Sequence, residues 1–220
     1  MKTSTNSNSE AADSLRWTVV TTALVVILGC IAIYHSTMGL RVVSTEEGRR
    51  LAIQQAPRIV PAATLDTPAA PLLAEVLRSD GRVTVVSFIY ASCNSVCLAL
   101  GSEFQRMQAQ IARLGLQDQV RLMSISFDPR DTATQLAVYA KRQQANGKTW
   151  QISGIASAAG RKAVLDAFGV VVLPAPLGEF VHNTAFHIVD ANGRLVKIDD
   201  FDQPDQALAD AVAIYHAGRL

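Results

Sequence analysis

Three regimes of hydrophobic and polar positions follow one another along the chain. Trp17–Tyr34 (WTVVTTALVVILGCIAIY) is an uncharged run bracketed by aromatic residues, which meets the length and aromatic-belt criteria of a membrane-spanning helix. Ahead of it, Met1–Arg16 is rich in Ser, Thr and Asn without an apolar period and reads as a disordered tail. Behind it, Ser44-Thr45-Glu46-Glu47 has the spacing of a capping box before a brief helix reaching about Ala56. Pro57, Pro61, Pro68 and Pro71 then punctuate an Ala- and Thr-rich stretch, which predicts a stiff stalk that stays out of any sheet. The expected organisation is a tail over 1–16, an anchor over 17–35, a stalk over 36–72 and one domain over 73–220.

From Arg82 onward strands and helices alternate. Val83–Tyr90 (VTVVSFIY) is β-branched and aromatic with little alternation, as in a central strand buried on both faces. A helix follows to about Leu114, with Leu100, Phe104, Met107 and Ile111 at spacings of three and four and Gly115 closing it. Arg121–Phe127 predicts a second strand, and Thr132-x-x-Gln135 opens a helix ending near Gly147. Ser157–Phe168 reads as a further helix with Gly169 behind it. Thr184–Val189 and Arg194–Ile198 flank Asp190-Ala191-Asn192-Gly193, whose Asn-Gly favours a tight hairpin. A last helix spans about Gln203 to His216. This order predicts an α/β protein with a central mixed sheet, a thioredoxin-like arrangement carrying an insertion, preceded by one transmembrane helix.

At 220 residues the chain has room for that span and one ordinary domain. A formal net charge of +1 gives no long-range field of one sign, which sets nucleic acid aside as a partner. Lys2 and Arg16 precede the span while Arg41, Arg49 and Arg50 follow it, so the positive-inside rule does not orient it. Ile27-Leu28-Gly29-Cys30 is similar to the box preceding a lipidated cysteine, an alternative to an uncleaved anchor, but apolar residues run on through Tyr34.

Cys93 and Cys97 stand four apart where the central strand gives way to a helix, the end at which open α/β sheets place ligands. A helix start favours thiolate over thiol, and this spacing allows either a disulfide or a shared ion. Two core cysteines that merely lie near each other are the plainer alternative. Two thiolates alone leave a soft ion under-coordinated. His182, just before the hairpin strand, is the candidate third donor, with His187 second to it; His35 and His216 read as structural or solvent-facing. Two sulfurs and an imidazole suit three-coordinate copper(I) better than structural zinc. Met107 and Met123 fall within core periodicities, and with Met38 they form no clustered methionine motif. Asp128, before Pro129, reads first as a turn residue, with Asp131 or Thr132 capping the next helix.

Phe88-Ile89-Tyr90-Ala91-Ser92-Cys93-x-x-Val96-Cys97 resembles the Phe-x-Tyr-Thr-x-Cys-Pro-x-Val-Cys-Pro segment of the SCO/SenC family of copper chaperones. Ser126-Phe127-Asp128-Pro129-Arg130-Asp131-Thr132 is similar to its Ser-Val-Asp-Pro-x-x-Asp-Thr segment, and His182-Asn183 with Phe186 and Asp190 to its stretch from His-Ser to Leu-x-Asp. The resemblance runs from about Val83 to Asp190. It implies a metal site of Cys93, Cys97 and His182 with Asp128 nearby, and a periplasmic domain on a bacterial inner-membrane anchor, or a mitochondrial inner-membrane counterpart. It also implies a role in delivering copper to, or keeping reduced, the dicysteine copper centre of cytochrome c oxidase subunit II. Asn94 and Leu98 stand where the family has proline, and Asn183 where it has serine; the lost prolines loosen the thiol loop without removing donors.

Other chemistries remain for the same dithiol. Thiol–disulfide exchange on client cysteines is one, although reductases of this fold normally use Cys-x-x-Cys; an anchored interaction module with a permanent disulfide is another. A thiol peroxidase would need Thr or Ser where Tyr90 stands. An electron-transfer copper pair would need a histidine soon after Cys97, and 98–108 has none.

Overall fold

The structure, a computed structural model, describes residues 7–36, 44–92 and 96–219. It divides into two compact units, Met1–Arg49 and Arg50–Leu220. In the first, helix α1 (Ser7–Ser36) contains one segment, Leu15–His35, long and apolar enough to cross a membrane by length and composition. The Thr21 and Thr22 hydroxyls donate back to the carbonyls of Trp17 (2.7 Å) and Thr18 (2.8 Å), which satisfies polar groups inside an apolar run. The helix reaches back into the stretch whose composition reads as a tail, and residues 1–6 lie outside the described ones. Helix α2 (Thr45–Gln55) starts on the expected capping box: the Glu47 N–H donates to Ser44 Oγ and the Ser44 N–H to Glu47 Oε2, both at 3.2 Å.

Among the described residues the second unit has eight strands, six in one sheet and two in a separate ribbon. The first four are β1 (Arg58–Ile59), β2 (Val83–Ile89) after helix α3 (Leu73–Arg78), β3 (Val120–Ser126) after α4 (Val96–Leu114), and β4 (Trp150–Gly154) after α5 (Ala133–Arg142). Helix α6 (Ala158–Phe168) then leads to a separate ribbon of β5 (Val172–Pro174) and β6 (Phe180–His182). The hairpin β7 (Ala185–Val189) and β8 (Arg194–Asp200) precedes the last helix, α7 (Pro204–Ala217). Strand order is β1-β8-β7-β2-β3-β4. Strands β2, β3 and β4 are parallel, and β7, β8 and β1 join antiparallel, so the sheet is mixed as expected.

Every residue of β2 and β3 is buried because both faces are covered. Leu100, Phe104, Met107 and Ile111 of α4, with Ala207, Leu208 and Ala211 of α7, cover Val83, Val85, Leu122 and Trp150 on one face. On the other, Leu73 and Leu77 of α3, Tyr139 of α5 and Val164 and Phe168 of α6 cover Val86, Phe88, Met123 and Ile125. Met107 and Met123 are therefore core residues. Period-2 alternation assigns neighbouring residues of one strand to opposite cores.

Three features depart from the pattern reading. Within the proposed stalk, Val60, Ala63 and Leu65 are buried and β1 pairs with β8, so the folded body reaches back to Ile53. Pro57 and Pro61 flank an edge strand, where a missing N–H disturbs no ladder. Helix α5 stops at Arg142 and not near Gly147, since Gln144 adopts φ +55° and Asn146 Oδ1 accepts from the N–H groups of Lys148 and Thr149. Strands β4, β5 and β6 had no counterpart in the sequence reading.

Candidate metal centre

Strand β2 ends at Ile89 and continues through Tyr90 and an Ala91–Ser92 turn. Cys93, Asn94 and Ser95 lie outside the described residues; the backbone resumes at Val96, which places Cys97 in the first turn of α4. The side chains of Cys97 and Leu98 also lie outside them.

The residues around this loop are fixed by short-range hydrogen bonding. Asp131 Oδ2 accepts from the Ala91 N–H at 2.7 Å and from the Ser126 hydroxyl at 2.6 Å, which joins the ends of β2 and β3. Thr132, and not Asp131, caps α5, with Gln135 completing the capping box; that leaves Asp131 available for the loop. Burial raises the Asp131 carboxyl above its ordinary value, outweighing the hydrogen bonds from Ser126 and Ala91.

Asp128 is 3% exposed and accepts from the Arg130 backbone N–H (2.9 Å), Nε (2.9 Å) and a terminal guanidinium nitrogen (2.7 Å). Burial alone would raise its carboxyl, but the Arg130 hydrogen bonds and charge hold it below its ordinary value. The same guanidinium donates to the Gly178 carbonyl at 2.8 Å and lies 5.1 Å from the centroid of the Phe180 ring. Arg130 therefore spans from the β3–α5 turn to the β5–β6 ribbon.

That ribbon carries His182. Its strands pair Val172 with His182, Leu173 with Val181 and Pro174 with Phe180. Period 2 puts His182 and Phe180 on one face, leaving Leu173 and Val181 exposed on the other. On the inner face Tyr90, Phe127 and Phe180 pack edge to face or tilted at centroid separations of 5.3–5.5 Å. The Tyr90 hydroxyl donates to Glu179 Oε2 at 2.5 Å. The His182 ring stands 5.0 Å from Phe127. Both of its nitrogens are buried without a hydrogen-bond partner among the described residues, and burial lowers its pKa from 6.5 to about 4. Asn183 holds the ribbon's base, accepting from the Val171 N–H (2.7 Å) and donating to the Gly169 carbonyl (3.0 Å), which a serine is too short to do at once.

Of the predicted residues, Asp128, His182 and the turn entering the thiol loop gather at the carboxyl end of β2 and β3. His187 does not join them: it is 1% exposed in β7, with Phe88 and Phe168 each 5.4 Å from its ring. His35 and His216 are exposed, as expected, and so is Cys30. Sequence reasoning missed Arg130 and Glu179 and gave Asp131 and Tyr90 other parts. The one available signal was a second acidic residue beside a helix that Thr132 already caps. Among the described residues no three His, Cys, Asp or Glu side chains cluster as a metal group.

No curated protein matches the chain. Solved structures share its thioredoxin-like fold. A SCO1/SenC family lipoprotein from Bacillus anthracis str. Ames is 20% identical, with a TM-score of 0.63 over 73% of this chain and 98% of that one. BsSco, described as a member of the Sco family of cytochrome c oxidase assembly proteins with a disulfide switch, is also 20% identical (TM-score 0.61, 73% and 95% covered). Bradyrhizobium japonicum ScoI, solved with copper bound, is 24% identical (TM-score 0.53, 71% and 99% covered). The sequence profile described as SCO1/SenC matches residues 75–217, which takes in every strand except the outermost pair of residues at Arg58–Ile59, and the chain belongs to the SCO1/SenC family.

Proposed function

We propose that this chain is a membrane-anchored copper(I) chaperone that binds its cargo through Cys93, Cys97 and His182 and delivers it to, or keeps reduced, the copper centre of cytochrome c oxidase subunit II. In this reading Leu15–His35 is the anchor and the domain faces the periplasm of a bacterium. The observation that carries the reading is the His182 ring, whose two nitrogens are buried and unpartnered among the described residues. A buried polar atom without a partner is costly, and a metal ion bound through one ring nitrogen removes that nitrogen's share of the cost. A pKa near 4 also keeps the imidazole neutral, the form that ligates. Thiolate sulfur and neutral imidazole match the softness of copper(I), and family membership together with copper in the related ScoI structure supports the cargo.

The test is a copper(I) competition titration of the reduced unit Arg50–Leu220. One ion per chain is expected, lost in Cys93→Ser and Cys97→Ser and held at least about 100-fold more weakly in His182→Ala. Unchanged binding in His182→Ala would overturn the three-donor site. If that variant instead keeps full disulfide turnover on a client that the cysteine variants cannot process, thiol–disulfide exchange becomes the primary activity.

A further inference from the structure

One short turn, Asp128–Asp131, touches both halves of the proposed centre. On one side Asp131 holds the Ala91 N–H, two residues before Cys93, and the Ser126 hydroxyl at the end of β3. On the other, Arg130 reaches the Gly178 carbonyl and the Phe180 ring of the ribbon, two residues before His182. The turn is itself rigid: the Asp131 N–H donates to the Asp128 carbonyl (3.2 Å) and the Asp128 N–H to Ser126 Oγ (3.2 Å). The ribbon has three residue pairs and stands outside the six-stranded sheet, and a ribbon that short does not fix its own orientation. Side-chain braces must do so. Arg130, with Nε and one terminal nitrogen of its planar fork donating to Asp128 and that same nitrogen donating to the Gly178 carbonyl, is suited to that work in a way a flexible ammonium is not.

We infer that Arg130 and Asp131 are positioning residues that set the separation of the sulfur pair from the imidazole, Asp131 acting through the thiol loop and Arg130 through the ribbon. The inference rests on the Cys93, Cys97 and His182 reading, and it makes the two residues separable by experiment. Arg130 should matter to copper(I) only by way of His182, whereas Asp131 should matter to the thiols even without metal.

The full-length protein in detergent micelles is used for two measurements: copper(I) affinity against a chelator, and the ratio of disulfide to dithiol in metal-free protein equilibrated with a glutathione buffer. Arg130→Gln is expected to weaken copper(I) about tenfold, in the range of supporting residues around metal ligands, and to leave the disulfide ratio unchanged. Asp128→Asn/Arg130→Gln, which leaves no unpaired buried carboxylate, is expected to behave the same way. Asp131→Ala is expected to weaken copper(I) and also to shift the disulfide ratio several-fold, while Asp131→Asn, which keeps an acceptor oxygen, restores most of both. In the His182→Ala background Arg130→Gln is expected to add nothing, and Asp131→Ala is expected to keep its effect.

The inference is overturned if Arg130→Gln weakens copper(I) equally with and without His182, or leaves it unchanged while His182→Ala does not. It is also overturned if Asp131→Ala leaves the disulfide ratio unmoved. Should His182→Ala itself leave copper(I) binding intact, the three-donor reading fails first and the role of Arg130 falls with it, an outcome distinct from the others.

Discussion

At His182 the fold buries an imidazole and leaves both ring nitrogens without a hydrogen-bond partner among the described residues. Burial takes its pKa down from 6.5 to about 4. Between those values the unfolded chain binds a proton that the folded chain does not, so stability rises with pH through this window and levels off above it. In the metal-free unit Arg50–Leu220, the urea midpoint should therefore fall more between about pH 7 and about pH 5 in the natural chain than in His182→Phe. Equal falls would mean that the ring is not held neutral by burial. Asp128 behaves in the opposite sense to a buried, unpaired acid: its folded value lies below 3.8, so its contribution is present above that value and is lost on acidification through the folded pKa. Thr132 supports the same turn from the helix side. Its replacement by alanine removes the hydroxyl that accepts from the Gln135 N–H, while the backbone N–H of residue 132 keeps Gln135 Oε1 as its acceptor, and should cost about 1 kcal/mol of unfolding free energy in urea.

Among the elements, α4 both covers the sheet and presents Cys97 in its first turn. Phe104 on its buried face is fully enclosed, 5.4 Å from Trp150 and 5.5 Å from Phe186 between ring centroids. Phe104→Ala should cost about 3–5 kcal/mol, read from urea unfolding of the same unit. Helix α4, strands β2 and β3 and the β7–β8 hairpin were legible in the sequence because each carries a long apolar period or an unambiguous turn. Strand β4 was not. It is a five-residue edge strand whose Gln151 and Ser153 interrupt the apolar signal, and its partner β3 supplies the register. The β5–β6 ribbon was hidden for a related reason: three residues a side, joined through Pro176 and Gly178, contain too little pattern to read. The candidate site residues divide along the same line. Cys93, Cys97, Asp128 and His182 stood out by type and motif, whereas Arg130, Asp131 and Glu179 gain their parts only from contacts that the ribbon and the β3–α5 turn create.

For the whole molecule, the helix bearing Leu15–His35 and the domain are separate compact units. The full chain should stay with the membrane pellet after alkaline carbonate washing, and Arg50–Leu220 should be soluble without detergent; a washed-off full chain would count against the anchor. Within the domain, local stability is unevenly distributed. Strands β2 and β3 are paired on both sides, whereas β5 and β6 pair only with each other. Backbone amides of the ribbon should therefore exchange with deuterium well before those of β2 and β3. A metal ligated by His182 would have that anchor on a drawbridge: raising the ribbon, which stands outside the six-stranded sheet, would lower the coordination number, and handing over cargo by that route would require no loosening of the core.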